Sequence, residues 1–161
     1  MEKLWTIGHS TRSIEEFTQL LLANHIRLLV DLRSFPRSRR FPHFNQQFLA
    51  AALANLGVAY QHFPELGGRR KPRADSPHVV WRNPAFRGYA DHMDSDEFRR
   101  GIGRLQELAC KYGNTAVMCA EAVWWRCHRR LIADYLTCRG VQVFHIIDDR
   151  KLQLHVATSG I

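Results

Sequence analysis

Cys119-Ala120-Glu121, then five residues, then Cys127-His128-Arg129 is the densest group of reactive side chains in the chain. A thiol becomes a nucleophile when nearby cations or a helix start favour its thiolate. Backbone amides at a helix start, joined by arginine, hold phosphate or carboxylate. The group therefore supports nucleophilic catalysis at Cys119 with Glu121 as acid or base. It equally supports an anion cradle built from Cys127, His128 and Arg129. Metal ligation by Cys119, Cys127 and His128 fits worst, because an adjacent Cys-His pair after a seven-residue gap matches no common zinc spacing. No metal ligand set is expected, and the cofactor is unknown from the sequence. Cysteine-dependent phosphatases place strand–Cys-x5-Arg–helix, and rhodaneses use a similar cysteine loop at a strand end. Here six residues separate Cys119 from Arg126, and the intervening Ala122-Val123-Trp124-Trp125 has no glycine to wrap an oxyanion.

Compatible chemistry recurs elsewhere. Gly8-His9-Ser10 follows an apolar run, offering His9 as an acid or base and Ser10 as a hydrogen-bond donor to an anion. Asp31 and Arg33 end a second apolar run, and Arg37, Arg39 and Arg40 follow among Phe35 and Phe41. Cations interleaved with aromatics contact phosphates and stack on bases. Eleven of the 23 Lys and Arg fall in three short segments (33–40, 69–73 and 126–130), bunched more than a solvated surface requires. With a formal charge of +8, the chain is expected to favour anionic partners, nucleic acid or nucleotide among them.

Each residue also has a plainer use. Cys119 and Cys127 can be small core residues. Asp31 can fix the basic loop by accepting backbone N–H bonds, and Glu121 can pair with Arg129. Trp124 and Trp125 read more readily as packing than as stacking partners. Cys110 and Cys138 fall on helix faces and read as structural.

The elements that must position these groups alternate between strand and helix, the pattern of a parallel sheet covered on both faces. Strands are predicted at Leu4–Ile7, Leu28–Asp31, Val58–Gln61, Thr115–Cys119 and Val141–Ile147. Lys151–Val156 reads as an antiparallel edge strand. Ser13-Ile14-Glu15-Glu16 is a capping box. Asn45 is a plausible N-cap for the next helix, Asn83-Pro84 opens another, and Asp94–Glu97 caps a fourth. A fifth helix is predicted from about Cys127 to Arg139. The expected fold is a single three-layer α/β/α domain with a mainly parallel sheet of about five strands. Ligands of such sheets bind beyond the carboxyl ends of the strands, so His9, Asp31, Cys119 and Glu121 are expected to share one rim. No stretch approaches the ~18 apolar residues of a membrane helix. Without an N-terminal signal pattern, a cytoplasmic location and reduced thiols are expected.

Thr6-Ile7-Gly8-His9-Ser10, Asp31-x-Arg33-x-x-Pro36-x-Ser38, Leu66-Gly67-Gly68 and Cys119-Ala120-Glu121-x5-Cys127-His128-Arg129 together resemble the family catalogued as domain of unknown function 488. The resemblance runs from about Thr6 to Ile147. It implies a small prokaryotic α/β protein and brings no reaction with it. Three functions are compatible with the residues. The first is binding or processing of a phosphate-bearing ligand, with Arg33, Arg37 and Arg129 on phosphate. The second is a Cys119-dependent thiol enzyme, rhodanese-like or phosphatase-like, acting on a small anion. The third is a non-catalytic binding module.

Overall fold

The structure, a computed structural model, describes residues 1–157. Its elements are β1 (Lys3–Gly8), α1 (Ile14–Ala23), β2 (Leu28–Asp31), α2 (Gln46–Ala54), β3 (Ala59–His62), α3 (Pro84–Met93), α4 (Asp96–Tyr112), β4 (Thr115–Cys119), α5 (Arg129–Thr137), β5 (Gln142–Ile146) and β6 (Leu152–Leu154). The six strands form one sheet in the order β3-β2-β4-β1-β5-β6. All neighbours are parallel except β5 and β6, which pair antiparallel at the edge.

β2 and β4 are continuous runs of buried residues because helices cover both faces of the sheet. On one face Phe17, Leu20 and Leu21 of α1 and Leu49 and Leu53 of α2 pack against Ile7, Leu29, Ala116 and Met118. On the other, α3, α4 and α5 bring Tyr89, Phe98, Ile102, Leu105, Leu131 and Leu136 onto Leu4, Val30, Val117 and Val143. The period-two alternation along each strand sorts its side chains between these cores. β4 lies between β2 and β1, whose connections run through α1 and α2, whereas its own runs through α5 on the opposite face. The loops diverge there, and that divergence opens a crevice at the strand ends.

The helix starts follow their local chemistry. The Ser13 hydroxyl accepts from the Glu16 N–H at 3.1 Å, while the Glu16 carboxylate accepts from the Ser13 N–H at 3.2 Å. Asn83 accepts from the Ala85 N–H at 2.8 Å, and Ser95 from the Phe98 N–H at 3.2 Å. Two starts differ from expectation. Asn45 precedes α2, but its side chain accepts from the Ser38 N–H at 2.6 Å and ties down the basic loop instead of the helix. α5 starts at Arg129, after a 3-10 turn at Trp124–Arg126 and an extended Cys127 (φ −118°, ψ 154°). Among the described residues no helix is long and apolar enough to cross a membrane.

Candidate functional site

β4 carries Cys119 to the carboxyl edge of the sheet, on the α3–α5 side along with Val117. The next residues turn tightly against the end of β1. The His9 N–H donates to the Cys119 carbonyl at 2.9 Å, and the Ser10 N–H donates to the Ala120 carbonyl at 3.0 Å. Gly8 makes this approach possible, since a Cβ there would lie 1.8 Å from the Glu121 carbonyl oxygen. Arg129, 1% exposed, holds the turn from below. Its guanidinium donates to the carbonyls of Glu121 at 2.7 Å and Ala122 at 3.4 Å, and to the Thr6 hydroxyl at 3.3 Å. Arg129 is therefore bonded to the backbone of Glu121 rather than to its carboxylate.

This turn brings the two cysteines together. Their sulfurs are 2.8 Å apart, inside van der Waals contact and longer than the ~2.05 Å of a disulfide bond. Both are free thiols. The Cys127 sulfur also accepts from the Arg129 N–H at 3.5 Å and lies 3.5 Å from His128 Nδ1. Burial pushes the Cys119 thiol well up, and the adjacent Cys127 sulfur pushes it further. Burial alone would raise Cys127 too. The hydrogen bond from Cys119 and the charges of His128 and Arg129 outweigh it and hold Cys127 well below the ordinary thiol range. A second fact points the same way. Among the described residues Arg129 makes no ion pair with a carboxylate, although a buried cation needs a counter-charge. Its positive charge is among the influences that lower the Cys127 pKa.

Both cysteines line a cleft of about 340 Å³, with Ala120, Glu121 and His128 beside them. That is the lower end of the range for small-molecule sites, ~300–1,000 Å³. Phe35, Arg37, Arg69 and Arg126 also line the cleft, with Tyr89 and Phe86 from α3. Phe35 is 69% exposed and the Arg69 guanidinium lies over its ring at 5.8 Å. Tyr89 leans on the His128 ring at 4.9 Å. Gly68 closes the far side, where a Cβ would come within 2.9 Å of His128 Nδ1. The Ser34 hydroxyl donates to the Gly68 carbonyl at 3.0 Å and joins the basic loop to this glycine pair.

The expected rim divides in two. Asp31 is in register with Met118 and shares its face, the α1–α2 side. Gly8 is in register with Cys119, so the following His9 falls on that same opposite face. His9 stacks on Phe44 at 4.4 Å, and its Nδ1 is bonded to the Ser10 carbonyl at 2.9 Å. Burial lowers its pKa to about 4, partly opposed by that carbonyl. Asp31 is fully buried, accepting from the Arg33 N–H at 3.0 Å and from its guanidinium at 2.8 Å. The Tyr60 hydroxyl also donates to it, and burial followed by the Asp31 charge keeps that phenol protonated. Arg33 reaches the cleft wall; its Nε and Nη2 are held by Asp31 and the Phe44 carbonyl, while its buried Nη1 has no hydrogen-bond partner among the described residues. Neither His9 nor Asp31 lines the cleft, and Ser10 acts through its backbone. Cys119, Glu121, Arg37, Cys127 and His128 meet there. Arg69 and Arg126 join them from segments whose charge was visible in the sequence, though their convergence was not. Tyr89, a buried aromatic on a short helix, gave no signal at all.

A buried hydrogen-bond chain lies behind the cysteine turn. In one consistent direction Arg129 donates to Thr6, Thr6 to His145 Nδ1 at 2.6 Å, His145 Nε2 to His155 at 2.8 Å, and His155 Nε2 to Asp134 at 2.7 Å. Trp124 stacks flat on His145 at 4.3 Å and 3°. Burial lowers the His145 pKa to about 3, with His155 and Arg129 adding to the shift. His145 is one of the polar residues at the end of the fifth predicted strand; His155 gave no signal in the sequence.

Fold and site define a three-layer, mainly parallel α/β domain with a two-thiol cleft at the carboxyl edge of its sheet. The chain belongs to the family described as Domain of unknown function DUF488, whose model matches residues 13–136. No curated protein and no solved structure matches it.

Proposed function

We propose that the cleft binds a small anionic ligand and attacks it with the Cys127 thiolate. The observation that carries this reading is the position of Cys127. Its sulfur accepts a hydrogen bond from the Arg129 amide and touches the Cys119 sulfur, in a cleft that Arg37, Arg69 and Arg126 also line. The proposal moves the nucleophile from Cys119 to Cys127, because Cys119 is the better proton donor of the pair. Glu121 and His128 border the same space and are the groups placed to move a proton during the reaction.

Alkylation by iodoacetamide as a function of pH tests it, read by peptide mass at each cysteine. Cys127 is expected to react with a midpoint below the ordinary ~8.5 of a free thiol. Replacing the proton donor, Cys119→Ser, is expected to change that midpoint. If Cys127 in the folded protein reacts near pH 7 no faster than in the denatured chain, the thiolate reading is wrong.

A second reading rests on one separate observation, the exposed Phe35 ring under Arg69 at the cleft mouth. An aromatic face beside cations suits a base and its phosphate. A nucleotide or the end of a nucleic acid strand is then the anion.

A further inference from the structure

Cys119 has more to do than lend a proton. Resting on the reading of Cys127 as the nucleophile, we propose that Cys119 and Cys127 form a dithiol couple whose substrate is a sulfur electrophile, a disulfide carrying an anionic group. Attack on a phosphate ester needs one thiol and a cradle of free amides around the oxyanion. Here the Arg126 and Cys127 amides are spent on the Val123 and Trp124 carbonyls, and the loop has no glycine. A second thiol 2.8 Å from the nucleophile is idle in phosphoryl transfer. In thiol–disulfide exchange it is the group that completes turnover.

The steps balance as follows. The Cys127 thiolate attacks one sulfur of R–S–S–R′, forms the mixed disulfide Cys127–S–S–R and expels R′S⁻. The Cys119 thiol gives its proton to that leaving thiolate. The Cys119 sulfur then attacks Cys127 Sγ, breaks the mixed disulfide and expels RS⁻, leaving a Cys119–Cys127 disulfide. The substrate disulfide gains two electrons and the protein dithiol loses two. A small thiol in excess restores the dithiol by the reverse exchange. A thiolate as well stabilised as Cys127 is a good leaving group in that step. Arg37, Arg69 and Arg126 select substrates whose R group carries carboxylate or a similar anion.

The test uses the full chain with the two exposed thiols removed, Cys110→Ser and Cys138→Ser. The reduced protein is treated with dithiobis-nitrobenzoate, a disulfide bearing carboxylates. Two equivalents of thionitrobenzoate are expected per chain, with no retained adduct and a Cys119–Cys127 disulfide in the peptide map. Adding Cys119→Ser is expected to halve the release and leave one stable adduct on Cys127. The peptide map of the Cys119-containing protein decides the matter even if that variant fails to fold. A lasting adduct on Cys127 without the internal disulfide overturns the dithiol couple while leaving Cys127 a nucleophile. No reaction at Cys127 overturns both.

Discussion

At the scale of single residues, the site depends on Arg129 more than on the charges that look exposed in the sequence. It gives up solvent entirely to hold two carbonyls of the turn and the Thr6 hydroxyl. Removing it takes a donor from the Thr6 hydroxyl and from the part-buried Glu121 and Ala122 carbonyls, each such loss worth ~1–3 kcal/mol. It also strips Cys127 of a cation and frees the turn. Arg129→Ala is therefore expected to lower stability by about 3 kcal/mol in urea denaturation and to shift Cys127 alkylation to higher pH. A stability loss with an unchanged alkylation profile would mean that Arg129 only braces the turn. The motif around the cysteines was legible as a cluster, since Cys119 ends a strand and Cys127 precedes a helix. The division of labour inside it was not. It depends on which sulfur receives the Arg129 amide, a relation between two segments folded onto each other. His9 and Asp31 illustrate a second limit. Their place at strand ends could be read, but the face they occupy depends on strand register, and one residue of register reverses it.

At the scale of elements, the chain from Arg129 through Thr6, His145 and His155 to Asp134 ties β1, β5, the residue after β6, and α5 into one buried unit. The antiparallel edge strand thus does more than cover the sheet, because it delivers His155. The strands and helix starts were readable from apolar runs and capping residues, whose causes are local. This chain was not, because His145 sits in an apolar strand and His155 near the end of the described residues, with nothing local to link them. Its pH dependence follows from depressed histidines. His145 at about 3 and His9 at about 4 stay neutral when folded, while both bind a proton below ~6.5 once unfolded. The unfolded state therefore takes up more protons as pH falls below 6.5, and stability falls with it. No such loss occurs above 6.5. Each histidine contributes about 1.4 kcal/mol per pH unit until its folded pKa is reached. Urea midpoints are expected to drop steeply between pH 6.5 and 5, and to drop less steeply in His145→Asn. A midpoint that is flat across that range in the parent protein contradicts neutral burial of both rings.

At the scale of the whole molecule, the net charge of +8 overstates how many cations face a ligand. Of the three basic segments, Arg33 is locked to Asp31, Arg70 donates to the Gly67 and Pro64 carbonyls, Arg73 meets Asp91, and Arg129 is buried. Arg130 lies over Trp81. Much of the bunching that suggests nucleic acid therefore serves the fold, and Arg37, Arg69 and Arg126 are the members that reach the cleft opening. A nucleic acid held by three arginines leaves a definite signature in salt. Each phosphate neutralised on a single strand contributes a slope of about −0.7 in log K against log salt, so short single-stranded oligonucleotides are expected to bind with a slope of about −2. Arg69→Ala should weaken binding and make that slope shallower by one contact, while removing stacking support from Phe35. A much steeper slope would place the strand along Arg39 and Arg40 as well, outside the cleft. No binding of a mononucleotide or an oligonucleotide at low salt would retire the nucleotide reading. The three arginines would then be the recognition element of the thiol site, with a small carboxylate-bearing sulfur compound as the anion they hold.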